Sequence, residues 1–280
     1  MKNRNAFQKL AAVPHCVWVV MFIVAPLLFV IGFAFRGSDG SFAFSNLGEL
    51  SQYGNVFILS IAFALIATAV CLLIGYPLAY FMSRQSPRAQ RILMVLVMLP
   101  MWCNLLIRTY ALMALLDNGG LLNSLLESWG LPKIPIVGTN FGVILGMVYD
   151  FLPYMVLPIF TSMTKLDMRY IEASHDLGCN SWQTMTKVIM PLTASGVISG
   201  ITMVFVPSIS TFYISQKLGA GKIDLVGDTI ERLFQNTATY GVGAAMSLIM
   251  MILILISVGI MNRFSNDGDA SASTRGGIIK

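Results

Sequence analysis

Apolar positions along the chain gather into six long runs, at 13–35, 56–82, 92–116, 141–163, 192–214 and 240–262, separated by shorter polar stretches. A helix needs about 20 consecutive apolar residues to cross a bilayer, and each run meets that length. Hydrocarbon offers no partner to a backbone N–H or C=O, so the runs are predicted as helices. The pattern therefore predicts an all-α polytopic membrane protein: one membrane domain over 1–264 with six transmembrane helices, and a tail at 265–280. That tail, SNDGDASASTRGGIIK, is small, polar and Gly/Ser-rich, and is expected to be disordered.

One polar stretch is more organised than a connecting loop requires. Residues 164–191 separate the fourth and fifth runs and read as two short helices. Asp167 can cap the first, which presents Tyr170, Ala173 and Leu177 on one face, and Gly178 supplies the backbone freedom common just past a helix end. Asn180 followed by Gln183 has the spacing of a capping box for the second. Trp182, Met185, Thr186 and Ile189 form its less polar stripe, and Pro191 is expected to end it. A helix resting on lipid headgroups would pair a broad apolar face with a strongly basic one. Here Asp167, Glu172 and Asp176 balance Lys165, Arg169 and Lys187 around small residues and a glycine, which suits docking onto a protein.

Among the other polar stretches, Leu122, Leu125, Leu126 and Trp129 share a face and suggest an interfacial helix with tryptophan at headgroup depth. Ile230, Leu233 and Phe234 share another, suited either to the membrane or to an outside partner. No internal repeat is visible, which counts modestly against a secondary transporter built from inverted repeats.

Composition agrees with the run pattern: 56% of residues are hydrophobic, 11% charged, and mean hydropathy is +0.75. The first run follows Lys2, Arg4 and Lys9, but it is too long for a signal-peptide core and no small-x-small site follows, so it is read as a retained anchor. The net charge of +5 is a matter of topology. With the N-terminus inside, the inner segments carry Lys2, Arg4, Lys9, Arg84, Arg88, Arg91, Lys165, Arg169, Lys187, Arg263, Arg275 and Lys280. The outer ones carry only Arg36, Lys133, Lys217, Lys222 and Arg232. This asymmetry orients both termini toward the cytoplasm and removes any need for nucleic acid as a partner. Cys16, Cys71, Cys103 and Cys179 avoid the outer loops, so no disulfide framework is expected, and His15 and His175 are too far apart in sequence to suggest a metal site.

The polar stretch also carries a family resemblance. Glu172-Ala173-Ser174, three residues, Gly178, nine residues and Val188-x-Met190-Pro191 resemble the EAA motif of ABC importer permeases, Glu-Ala-Ala, three residues, Gly, nine residues, Ile-x-Leu-Pro. Glu172, Ala173, Gly178 and Pro191 match; Ser174, Val188 and Met190 depart conservatively. The resemblance implies that this stretch is a coupling helix seated in a groove of a cytoplasmic ATPase, which uses ATP and Mg2+ while this chain binds neither. GAGKID at 219–224 lacks the phosphate-loop spacing. The stretches LIATAVCLLIGYPLAY, CNLLIRTYALM and VPSISTFYISQKLGAGK are similar to permeases of spermidine/putrescine importers. Such a likeness implies a bacterial inner-membrane subunit that translocates polyamines by alternating access. It also implies a second permease as heterodimer partner, an ATPase dimer and an extracytoplasmic polyamine-binding protein.

Two charges lie well inside runs: Arg108 about 12 Å and Asp150 about 13 Å below the outer ends of antiparallel helices, taking 1.5 Å per residue. A charge at this depth costs roughly 2.5–3.5 kcal/mol even on the gentlest scale. Either the two form a structural ion pair, or Asp150 faces the pathway and receives a substrate ammonium. Trp102, Asn104, Tyr110, Tyr149, Phe212 and Tyr213 are further path candidates, the aromatic ones because ring faces attract ammonium groups; the same rings also serve as packing or interface belt. Pro100, Pro153, Pro158 and Pro207 are expected to interrupt the third, fourth and fifth spans, with the hydroxyls of PSISTFY meeting released backbone groups. Gly196-x-x-x-Gly200 predicts close helix packing.

An intramembrane protease has no support, since both histidines lie at or outside span ends and His-Glu-x-x-His is absent. A secondary transporter would not need the docking stretch. For the substrate, a ferric or oxyanion ligand is the alternative to a polyamine, because Arg108 and Asp150 offer one charge of each sign.

Overall fold

The computed structural model describes residues 13–36 and 45–276. Lys2, Arg4 and Lys9, the middle of the first outer loop and the last four tail residues fall outside that range. Twelve helices organise the described residues: α1 Val13–Ala34, α2 Gly54–Ser83, α3 Pro87–Trp102, α4 Leu105–Leu116, α5 Leu121–Ser128, α6 Asn140–Thr164, α7 Arg169–Asp176, α8 Ser181–Leu192 and α9 Ala194–Ser210, α10 Tyr213–Leu218, α11 Val226–Phe234 and α12 Tyr240–Gly276. Short turns of helix at Ser45–Gly48, Glu49–Tyr53 and Thr237–Thr239 complete the set.

Among the described residues, five stretches are long and apolar enough to cross a membrane: Val13–Ala34, Glu49–Ser83, Leu105–Ser128, Asn140–Thr164 and Thr237–Arg263. The pair α8 and α9, bent by 68°, makes a sixth if counted as one span. The protein is all-helical and polytopic, as its run pattern predicts.

Three of the predicted runs differ in detail. The third is two helices, because Cys103 and Asn104 adopt extended backbone (ψ 146° and 133°). Pro100 withholds one donor just before this break, and the Asn104 side chain starts α4 afresh by accepting from the Leu106 N–H at 2.8 Å. The fifth run starts at Ala194 and ends at Ser210, where Thr211 turns extended (ψ 140°). There Ser208 Oγ donates to the Val204 carbonyl at 2.6 Å and Ser210 Oγ to that of Val206 at 3.3 Å. The fourth run, by contrast, is not interrupted: α6 continues through Pro153 and Pro158. Its close neighbour α9 packs against it at Met155, Pro158 and Ser162. The Gly/Ser-rich segment expected to be disordered continues α12 as far as Gly276. Extending an existing helix avoids the nucleation cost that a free tail would face.

The chain divides into two compact units. The larger comprises Val56–Asp228 with Leu253–Lys280. Its core gathers Phe63, Ala67 and Cys71 of α2 with Met147, Met155 and Ile159 of α6, Val204 of α9, and Ile214 and Leu218 of α10. A Cβ at Gly196 would lie 2.5 Å from Ser162 Cβ and 2.8 Å from the Pro158 carbonyl oxygen, and one at Gly200 2.8 Å from Met155 Sδ. The small residues thus let α9 lie against α6, in keeping with the packing motif in the sequence. On α5, Asn123 is fully buried; it donates to the carbonyls of Asp117 and Ile134 and accepts from the Ile134 N–H, while Leu125 and Trp129 stay exposed.

The smaller unit comprises the chain up to Asn55 with Thr229–Ile252. Asn46 Nδ2 donates to the carbonyls of Ala34 (3.2 Å) and Arg36 (2.9 Å), and Gly241 leaves room for that side chain. Tyr240 meets Phe33 and Phe234 edge to face at 5.1 and 4.8 Å. Of α1 only Ala34 is buried. A helix apolar on every side and left uncovered by the described residues of its own unit belongs in lipid or against another subunit.

Candidate functional site

The polar stretch between α6 and α9 folds into a helical hairpin. The Asp167 carboxylate accepts from the Arg169 N–H at 3.0 Å, one residue earlier than the assigned cap position at Met168. At the other end of α7, Gly178 N–H donates to the His175 carbonyl (2.9 Å) and Cys179 N–H to that of Ser174 (3.0 Å). This is a Schellman ending, and Gly178 takes the positive φ of +78° that it demands. A Cβ at Gly178 would meet nothing within 4 Å, so within this chain the glycine serves backbone conformation and not close approach. The capping box forms: Gln183 N–H to Asn180 Oδ1 at 2.8 Å, and Asn180 N–H to Gln183 Oε1 at 3.1 Å.

Ser174, a departure from the family motif, is buried where α7 meets α8, and its hydroxyl pairs with that of Thr184 at 2.9 Å. Ile171 is buried too, on a different face from the one that the sequence predicts through Tyr170, Ala173 and Leu177. Those three point outward: Leu177 is 84% exposed, and across the hairpin Trp182 is 73% exposed. Glu172 and Ala173 are likewise exposed, Val188 is half-buried, and Met190 is exposed.

Pro191 stands in the last turn of the second helix, which ends one residue later at Leu192. It is preceded by a wide π turn at Met185–Ile189 in which the Met190 N–H bonds the Met185 carbonyl. Such a turn absorbs the register lost where proline has no N–H to give. The chain bends only at Thr193, between α8 and α9. Thr193 is fully buried; its hydroxyl bonds the Ile189 carbonyl at 2.8 Å and the Tyr76 hydroxyl of α2 at 3.1 Å. The hairpin is thereby hinged to α9 and braced against α2. Neither Tyr76 nor Thr193 carries a sequence signal that would have singled it out.

Deeper in the larger unit, Arg108 and Asp150 meet. Arg108 Nε pairs with Asp150 Oδ1, and Thr109 Oγ1 donates to Asp150 Oδ2 at 3.2 Å. Arg108 Nη1 also donates to the Pro100 carbonyl at 3.0 Å, joining the two sides of the α3–α4 break to α6. Asp150 is 0% and Arg108 7% exposed. Of the two sequence readings, this geometry carries the structural ion pair, and Asp150 does not reach an open surface. Asn104, a path candidate, acts as the cap of α4. The aromatic candidates are the ones left open: Trp102, Tyr110, Tyr149 and Phe212 are exposed and Tyr213 is half-exposed. Tyr149 also lies 5.8 Å from the Arg108 guanidinium.

A membrane bundle with an outward-facing helical hairpin ahead of a hinged span has known counterparts. Residues 72–267 match the family of the binding-protein-dependent transport system inner membrane component, and the chain belongs to that family. It is thus a multi-pass inner-membrane permease of an ABC transporter. Among its relatives, the spermidine/putrescine transport system permease protein PotB of Haemophilus influenzae is 36% identical over 92% of this chain and 94% of its own. That of Escherichia coli is 37% identical over 85% and 90%. The inner membrane ABC transporter permease protein YdcU of Escherichia coli is more distant, at 26%. In fold, the chain resembles a subunit of a bacterial alginate ABC transporter solved with its pentasaccharide-bound periplasmic protein (TM-score 0.75, 17% identity, 94% of this chain and 95% of that one). It also resembles a chain of the MetNI methionine transporter (TM-score 0.56, 14% identity, 76% and 94%).

Proposed function

We propose that this chain is the membrane subunit through which spermidine and putrescine enter the cytoplasm by alternating access. Identity above one third with spermidine/putrescine permeases over nearly the whole chain supports the substrate. The observation that carries the mechanism is the hairpin, which leaves Leu177 and Trp182 exposed at its surface yet is tied through Thr193 and Tyr76 to the spans. In this reading Glu172, Ala173, Ser174, Gly178, Val188, Met190 and Pro191 build the element that docks on a separate ATPase. That ATPase, a dimer, hydrolyses ATP with Mg2+, and this chain catalyses no reaction itself. Its closure moves the hairpin as a lever, and α9, packed on α6 through Gly196 and Gly200, follows.

The remaining partners are a second permease, which completes the pathway, and an extracytoplasmic polyamine-binding protein, which delivers the cargo. Both termini face the cytoplasm, consistent with the distribution of basic residues. Trp102, Tyr110, Tyr149, Phe212 and Tyr213 offer ring faces to the substrate, while Arg108 and Asp150 tie together α3, α4 and α6, which carry the first three. The test is labelled spermidine uptake in cells lacking other polyamine importers, with and without this chain. Energy-dependent uptake that returns with the gene and is competed by putrescine is expected; unchanged uptake on deletion overturns the polyamine assignment. Co-purification of an ATPase that is lost on Leu177→Asp tests the docking separately.

A further inference from the structure

One cluster in the larger unit holds a cation against two aromatic rings. Tyr110 on α4 and Tyr213 at the start of α10 meet edge to face, their centroids 5.8 Å apart. Lys217, one turn along α10, places its ammonium 4.9 Å from the Tyr110 centroid and 5.6 Å from that of Tyr213. An ammonium within about 6 Å of a ring centroid is drawn to the ring face, and here one ammonium serves two rings. The backbone under the cluster is fixed, since Ile214 and Leu218 of α10 are fully buried and pack at Gly146 of α6. The rim is open: Tyr110 is 46% exposed and Lys217 half-exposed. The movable part is therefore the lysine side chain.

The chemistry of that side chain is informative. Four methylenes ending in a primary ammonium are the same fragment that terminates putrescine and one arm of spermidine. We propose that Tyr110 and Tyr213 form a binding site for the aminobutyl end of the transported amine, with Lys217 as its tethered occupant when no substrate is present. The inference rests on the polyamine reading above. Two ammonium groups cannot share one pair of ring faces without repulsion, so substrate and Lys217 occupy the site in turn. Such competition keeps the site weak, which suits a position on a pathway that the substrate must leave again. It also selects by charge and chain, because a neutral solute gains nothing from displacing the lysine.

The experiment measures equilibrium binding of labelled spermidine to the assembled complex in lipid nanodiscs, without the binding protein, each variant first checked for assembly by size-exclusion chromatography. Lys217→Met removes the internal competitor and is expected to tighten binding about fivefold, the equivalent of one ring–ammonium contact. In that background Tyr110→Leu should lose the gain, whereas Tyr110→Phe, which keeps the ring face, should retain it. Unchanged or weaker binding by Lys217→Met overturns the proposal, and so does an equal loss from Tyr110→Phe and Tyr110→Leu. Spermidine uptake by the wild-type complex with its binding protein separates the two failures. Intact uptake with unchanged Lys217→Met binding removes only the ring site, while absent uptake removes the transport reading and this inference with it.

Discussion

Replacing Asp150 with alanine would leave the Arg108 guanidinium buried without its carboxylate. The native pair is almost wholly enclosed, at 0% and 7% exposure, and Asp150 also accepts from Thr109 at 3.2 Å. Removing one partner of a buried pair costs about 3–5 kcal/mol, mostly because the other charge is stranded. At roughly 2–4 °C per kcal/mol for a chain of this order of size, the apparent melting midpoint should fall by roughly 6–20 °C. Asp150→Asn keeps the shape but not the charge and should fall less. The double substitution Arg108→Met with Asp150→Leu removes both charges, so it should recover most of the loss and lie well above either single variant. Fluorescence-detected size-exclusion of heated, detergent-solubilised protein reads these midpoints, and uptake of labelled spermidine is measured on the same variants. A different pattern would refute the reasoning: Asp150→Asn melting with the wild type while abolishing uptake, and the double variant no better than Asp150→Ala. That result would make Asp150 a substrate group.

Other perturbations probe the lever and its bearing surface. Gly178→Ala places a side chain at φ +78°, at a cost of about 1–2 kcal/mol. Spermidine uptake should drop severalfold, and Gly178→Asn, which tolerates this conformation, should keep more; the reverse order in a transport assay would contradict the conformational role. Gly196→Val pushes into Ser162 and the Pro158 carbonyl and should destabilise by about 1–3 kcal/mol, whereas Gly32→Val, where a Cβ meets nothing within 4 Å, should melt like the wild type. Tyr76→Phe removes the hydroxyl that braces Thr193. It should cost only about 0.5–1.5 kcal/mol yet raise the ATP hydrolysed per spermidine imported in proteoliposomes, and an unchanged ratio would show that the brace does not transmit the stroke.

How much of this was legible in the chain follows from the range of the interactions. The number and type of membrane elements depend on run length and hydropathy, because hydrocarbon imposes the same demand on every segment whatever its neighbours. The hairpin was legible for a similar reason. The capping box at Asn180 and Gln183 and the glycine ending at Gly178 are satisfied within a few residues, and the Gly196–Gly200 spacing states its purpose on one helix face. Tertiary structure decided what depends on distant partners. Arg108 and Asp150, 42 residues apart, could be read as pair or pathway until the fold brought their charges together. Tyr76 and Thr193 are separated by 117 residues, and nothing local marks either as part of a brace. Pro153 and Pro158 read locally as breaks, yet α6 runs through both and packs on α9 at Pro158, a contact that sequence alone does not reveal. Contacts along one helix are written in its own residues; contacts between helices exist only once the fold has placed them.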